Sequence, residues 1–283
     1  MAYPVVEGPY GLIPTNLIGG QPFAGSTRMI PIASGYAANL YFGDPVKFTS
    51  TGTLITSGLA YDSAAAETGG TLGIFLGCEF TPAGGPLFGK MRQQNWRSGT
   101  VASDAVAYVC DDPDAIFKAA MIEYNASTGP VIGAAPAVAL GTNLTSMATA
   151  TANTGSTSGN SVGNSSVGLM LASGNVRRTA TAPFRIVQMV PETRLTTALT
   201  ATTTNASTAV TLSAANSAVK TGMLVTGTGI AAGTYVAAVS GTSVTLSANA
   251  TASGTVTLTF DGFQEVLVKW NFGYHAYQVA VAI

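Results

Sequence analysis

The chain has 283 residues, 47% hydrophobic but only 9% charged, with 12 Lys and Arg against 13 Asp and Glu and a formal net charge of −1. That charge content is far below the roughly 25% usual in soluble globular proteins, and it argues against a direct nucleic-acid surface, which needs several cations gathered on one face. No run approaches the ~18 apolar residues of a membrane helix, and the opening MAYPVVEGPYG lacks the basic segment and apolar core of an export signal, so synthesis in the cytoplasm is expected.

Residues 1–26 carry Pro4, Pro9, Pro14 and Pro22 together with Gly8, Gly11, Gly19, Gly20 and Gly25. Pro lacks an amide donor and Gly is costly to order, so a regular helix or central strand is disfavoured. The segment reads as an extended arm. Its Tyr3, Tyr10, Leu12, Ile13 and Phe23 are expected to find burial against neighbouring subunits, unless the arm wraps its own domain. Residues 29–32, 36–42, 46–48 and 54–55 are short apolar segments separated by turns such as Gly43-Asp44-Pro45, the spacing of a small barrel or sandwich. Thr71–Phe80 (TLGIFLGCEF) is a strong strand. Thr81–Gly99 reads as an exposed loop returning as an edge strand. Its Lys90, Arg92 and Arg97 flank Trp96, which is either an interface anchor or a cap on the local core.

Val101–Glu123 places two apolar runs, Ala105–Cys110 and Ala115–Ile122, on either side of Asp111-Asp112-Pro113. Apolar runs across a short Asp/Pro stretch predict paired strands, here the spine of the main domain. Residues 145–168 hold few large apolar groups and predict a solvent-facing loop. Phe184–Val190 is a strand closed by Pro191. Residues 195–260 then contain one ionised side chain, Lys220, and strand candidates at Ala209–Leu212, Leu224–Val225, Tyr235–Val239, Ser243–Leu246 and Thr255–Phe260. Branched Thr and Val suit a pleated surface. The stretch is an inserted β module or, alternatively, an extension of one sheet. Val266–Trp270 and Tyr274–Ile283 read as closing strands, with Phe184–Val190 as partner. The expected fold is all-β: an extended arm at 1–26, and a discontinuous barrel or sandwich at 27–194 and 261–283 interrupted by the module at 195–260.

Chemistry is sparse. His275 is the only histidine, and no G-x-S-x-G elbow accompanies it. Asp111, Asp112 and Asp114 lack the spacing of a calcium loop, and the glycine pairs lack the context of a phosphate loop. Cys78 and Cys110 sit in apolar strand-like contexts as buried thiols, close together only if their strands are neighbours. The sequence therefore predicts no enzyme, with no catalytic residue, metal ligand or cofactor.

Two resemblances carry a functional expectation. Segment 208–260, with VTLSAANSAVKTGMLVTGTGI, GTYVAAV and GTSVTLSANAT, resembles a Thr/Gly-rich β module recurrent in tailed-phage structural proteins and bacterial surface proteins. The stretches IPIASGYAANLYFGDPVKF, GTLGIFLGCEF and DAVAYVCDDPDAIFKAAM are similar to tailed-bacteriophage capsid decoration or cement proteins, especially those of marine phages. This likeness implies a structural virion protein on the outer surface of the head. Its partners would be the major capsid protein and further copies of itself, as a dimer or trimer. Tyr3, Tyr10, Phe23, Arg92, Trp96 and Arg97 are the interface candidates. A tail, fibre or adhesive component is the alternative; a major capsid protein, which would need long helices that this pattern lacks, and a carbohydrate-active enzyme, which would need convergent acids in a groove, come after it.

Overall fold

The computed structural model describes residues 6, 8–17, 20–57, 70–82, 89–125, 129–134, 140–147, 165, 167–171 and 182–278. Before the acidic turn come β1 (Ile13–Leu17), β2 (Arg28–Pro31), β3 (Leu40–Tyr41), β4 (Pro45–Phe48), β5 (Leu54–Thr56), β6 (Gly73–Phe80), β7 (Met91–Gln93), β8 (Asn95–Trp96) and β9 (Val106–Cys110). After it come β10 (Ala115–Asn125), β11 (Gly129–Ala134), β12 (Asn143–Met147), β13 (Gly168–Leu171) and β14 (Phe184–Val190). Then follow β15 (Thr196–Thr203), β16 (Ala209–Leu212), β17 (Leu224–Gly227), β18 (Val236–Ser240), β19 (Ser243–Leu246), β20 (Gly254–Asp261) and β21 (Glu265–Trp270). The chain is an all-β, multi-sheet protein.

The first sheet has the order β2-β9-β6-β4-β5, with β7 also on β6. Its core holds Ile30, Leu40, Val46, Leu54, Phe75, Cys78, Phe80, Trp96 and Val109. The second sheet runs β1-β10-β13-β12-β14-β21, and β21 pairs again with β10 so that the pairings return on themselves. Alternation along β10 explains how it serves two cores, because successive side chains point to opposite faces. Ala115, Phe117, Ala119 and Met121 enter one cluster with Phe184, Val268 and Trp270. Ala120 and Ile122 enter another with Leu224 and Phe263. Trp270 centres the first, its ring 4.4 Å from Phe184 and 6.0 Å from Phe117.

The expected hairpin at Val101–Glu123 is not formed. β9 pairs with β2 and β6, while β10 pairs with β1, β11, β13 and β21. The turn passes the chain from one sheet to the other. Asp112 shapes it, its Oδ1 accepting the Asp114 amide at 2.8 Å. The N-terminal segment is likewise tied to its own subunit, with β1 paired antiparallel to β10 and Leu12 fully buried. As Pro14 favours, β1 is an edge strand.

β14 pairs with β21 from Phe184↔Trp270 to Val190↔Glu265, so of the two expected closing strands Val266–Trp270 is the partner of Phe184–Val190. Tyr274–Gln278 is not strand but a series of turns with one bridge, Thr71↔His275. Residues 279–283 lie outside the described residues, as does most of the expected loop at 145–168. Two residues at the end of that loop depart from a solvent-facing reading, since Ser165 and Val167 are buried.

Residues 196–261 form a separate sheet, β17-β20-β15-β16-β19-β18. Val210, Leu212, Val225, Val236, Val244, Leu246, Leu258 and Phe260 build its own core. Its other face is a grid of exposed hydroxyls, with Thr202 opposite both Thr211 and Thr255. Because Val190 and Glu265 are cross-strand partners, the sheet leaves and rejoins the chain at one place. Replacing 195–261 with a short Gly/Ser link is expected to preserve one cooperative urea transition and buried emission from Trp96 and Trp270. Loss of that transition would show that the Leu224–Phe263 contact is indispensable.

Candidate interaction surface

A bulge in β6 builds this surface. The register against β9 shifts between Phe75 and Gly77. Without the shift, Phe75, Gly77 and Glu79 would share a face. With it, Phe75, Cys78 and Phe80 all enter the first-sheet core, and Ile74 and Leu76 face the core of the second sheet. Glu79 therefore emerges on the outer side, just beyond the ground that the second sheet covers. Gly77 is required at the bulge: its φ is +143°, and a Cβ there would lie 2.8 Å from the Gln93 carbonyl oxygen.

Around Glu79 the pairing brings Arg92 from β7 and Tyr108 from β9. Arg92 Nε donates to Glu79 Oε2 at 2.7 Å, and Arg92 Nη2 donates to the Tyr108 hydroxyl at 2.7 Å. Tyr108 donates in turn to Glu79 Oε2 at 2.8 Å. Lys90 Nζ lies 3.2 Å from Glu79 Oε1. The guanidinium carbon of Arg92 is 5.1 Å from the Tyr108 ring centroid, a cation–π distance. The hydrogen bond from Arg92, followed by those from Tyr108 and Lys90, holds the Glu79 carboxyl down to about 2. Beside this cluster is a shallow hollow of about 440 Å³ lined by Thr27, Leu76, Gly77, Cys78, Gln93 and Gln94 together with Arg92 and Tyr108. Met29, on the neighbouring edge strand and opposite Tyr108, is 59% exposed.

The interface candidates separate into distinct environments. Arg92 is in this cluster and Arg97 is exposed. Trp96 is not a surface anchor: it is fully buried, edge-on to Phe80 at 5.5 Å, and its Nε1 donates to the Tyr36 carbonyl. Tyr10 faces inward, donating a short hydrogen bond to buried Glu265, with Lys118 stacked 5.7 Å from its ring. Burial, reinforced by Glu265, pushes the Tyr10 hydroxyl well above its ordinary value. Phe23 packs partly buried against the second-sheet core. Tyr3 lies outside the described residues. Sequence reasoning missed Glu79 and Tyr108 as partners of Arg92. Only the bulge brings them into line, and Gly77 within an apolar strand was its one visible trace.

The other reactive groups described, Cys78, Cys110, His275 and Asp44, are buried. Cys78 and Cys110 are free, and their strands are neighbours, but Cys78 lies opposite Ala107 and Cys110 opposite Ile74. Burial pushes both thiols up to about 12, away from the thiolate needed for nucleophilic chemistry. Among the described residues no group of three or more His, Cys, Asp or Glu is arranged to hold a metal. His275 is fully buried between Trp270 and Tyr277, with no partner for Nε2. Desolvation lowers its pKa, opposed by Asp111, the Leu72 backbone and Asp112. Asp44 is buried beneath a backbone crossing, Oδ2 accepting the Tyr41 amide at 2.8 Å and Oδ1 without a partner. Desolvation raises its carboxyl to about 6, against the pull of Ser165 and the Tyr41 amide.

Comparison with protein-family models, with curated proteins and with solved structures finds no match for the chain.

These buried groups predict opposite pH limbs. Asp44 has a folded value above its ordinary 3.8, so its contribution is fully present below 3.8 and is lost as pH rises through about 6. The loss is about 3 kcal/mol at ~1.4 kcal/mol per pH unit. Asp44→Asn keeps an acceptor for Tyr41, and urea unfolding should show it gaining on the parent between pH 4 and 7. An unchanged difference across that range would refute the assignment. His275 is depressed, so its contribution is present above 6.5 and lost as pH falls through the lower folded value. Amide exchange at Thr71 and Ala276, corrected for intrinsic rates, should accelerate below pH 6.5 in the parent and not in His275→Phe.

Proposed function

We propose that this chain is a structural virion protein that binds the outside of a tailed-phage head and stabilises contacts between capsomers. The observation that supports this best is the cation–aromatic surface on the outer side of β6, β7 and β9. In a chain with 9% charged residues, Lys90 and Arg92 converge there on the Glu79 carboxylate beside a shallow hollow. Aromatic and Arg side chains are the types that dominate protein–protein contacts. On this reading residues 27–194 and 261–283 form a discontinuous β-barrel or sandwich, 195–260 is an inserted module projecting from it, and 1–26 is an arm. The major capsid protein is the principal partner, with further copies of the chain assembled as a dimer or trimer at the outer surface of the head. The role is mechanical rather than enzymatic and calls for no cofactor.

The mechanism is burial across capsomer boundaries. Apolar surface withdrawn from water contributes about 25 cal/mol per Å² before association costs. A stable interface buries about 1,200–2,000 Å². Repetition around a closed shell turns such contacts into resistance against rupture.

Co-sedimentation with expanded, empty heads tests the reading directly. Saturable binding, with density over capsomer junctions in a reconstruction of the decorated particle, is the expected result. Density confined to the tail would transfer the chain to a tail, fibre or adhesive role, and absence of binding to any virion part would overturn the proposal.

A further inference from the structure

We infer that residues 274–278 form a strap that a proton on His275 unlatches, uncovering the start of β6. The device is built into the fold and operates whatever surface the chain binds.

Two backbone bonds hold the strap to one residue. The Thr71 amide donates to the Tyr274 carbonyl at 3.0 Å, and the Ala276 amide donates to the Thr71 carbonyl at 2.9 Å. His275 stands between them, bridged in parallel to Thr71. The fit is close, since a Cβ on Gly70 would lie 2.8 Å from the Ala276 Cα. Thr71 and Leu72 are buried, and Ala276 packs against the first-sheet core. Beyond His275 the strap is pinned by its next side chain. The Tyr277 hydroxyl donates to Asp111 Oδ2 at 2.6 Å. Arg28 Nε lies 2.9 Å from the same oxygen, with its guanidinium carbon 5.3 Å from the Tyr277 ring centroid.

His275 is the part of this arrangement that mild acid changes. Its ring is fully buried, and Nδ1 accepts the Tyr277 amide at 3.3 Å. The hydrogen of the neutral ring is therefore on Nε2, which has no partner. A second proton must go to Nδ1, where it faces the Tyr277 N–H. That bond is lost, two donors confront each other, and a cation is left in a site built for a neutral ring. An unpaired buried charge costs far more than one neutral hydrogen bond contributes. The ring gains by moving to water. Its two chain neighbours carry the bonds to Thr71, so those bonds part with it.

The groups around the ring decide when this happens. Trp270 from β21 and Tyr277 from the strap present uncharged rings, 5.7 and 5.1 Å away. Asp111 and Asp112 from the acidic turn favour the imidazolium, as does the Leu72 backbone from β6. Asp111, however, is already engaged by Arg28 from β2 and by Tyr277. Desolvation prevails, so the ring stays neutral to below 6.5, and the strap opens as pH falls through the lowered value.

NMR on the full isotope-labelled chain reads the ring and the strap separately. The His275 ring proton between the two nitrogens follows charge, and the backbone order parameters of Ala276, Tyr277 and Gln278 follow the strap. From about pH 7.5 to about pH 4.5 those order parameters should fall from about 0.85 to below about 0.6, the range of flexible backbone. Their midpoint should coincide with that of the ring, while Val109 in β9 and Val268 in β21 stay rigid. His275→Gln, which cannot charge, should keep the strap ordered throughout, and a thermal melt at neutral pH verifies its fold. Arg28→Gln leaves Asp111 free to favour the imidazolium and should move both midpoints upward together. A ring that charges while the strap stays ordered, a ring that never charges in this range, or the same loosening in His275→Gln would each overturn the inference.

Discussion

Three stretches distant in sequence meet where no side chain fits. A Cβ on Gly11 would lie 2.7 Å from the Ser165 Cβ and 2.8 Å from the Gly43 Cα, and a Cβ on Gly43 would lie 2.9 Å from the Gly11 Cα. Both glycines also have positive φ, at +86° and +96°, which other residues adopt only at a cost. The close approach allows backbone bonds to run between all three stretches and β6. Leu12 donates to Gly43, Ser165 to Phe42, Gly11 to Val167, and Gly43 to Phe75. The approach to β1 and the approach to β13 are thereby fastened to the turn between β3 and β4. This is how the two large sheets are set against each other, and every feature between them inherits its position from that crossing.

Asp44 shows what the crossing costs. It follows Gly43 directly, so its carboxylate enters a buried site with one oxygen unpartnered. Its amide and carbonyl are both engaged, with Tyr41 and Phe75. Backbone geometry thus dictates where the carboxylate goes, and its electrostatics are a consequence. By contrast, the buried carboxylate of Glu265 is answered by the Lys118 ammonium at 3.2 Å and by the Tyr10 hydroxyl. Removing Lys118 or Tyr10 would leave the buried Glu265 carboxylate short of a partner, so the cluster fixes the approach to β1 against β10 and β21 more firmly than an exposed ion pair would.

Much of the architecture was legible in the residues because it rests on local rules. Turn-rich punctuation and branched side chains marked the strands of the second half, and the apolar run 266–270 found its partner in 184–190. What failed was pairing across the acidic turn. Asp111-Asp112-Pro113 between two apolar runs carries the same local signal whether the chain folds back or crosses to another sheet. The decision rests with tertiary partners: β9 finds β2 and β6, and β10 finds β1 and β21. Thr196–Thr203 escaped notice for a related reason. Its alternation is carried by Thr and Ala instead of large apolar groups, yet it pairs along its whole length with β20.

The surface cluster was illegible for a sharper reason. Arg92, Glu79 and Tyr108 are separated in sequence and belong to three strands, so only register brings them together. That register depends on a single inserted residue at the β6 bulge. A one-residue shift moves every later side chain to the opposite face. Here it sends Cys78 and Phe80 into the core and turns Glu79 outward. The bulge therefore satisfies two demands at once. It lets one strand contribute to two cores, and it leaves a charged side chain where those cores end. In a chain with so few charges, the position of that boundary decides where this cluster of charged and aromatic side chains stands.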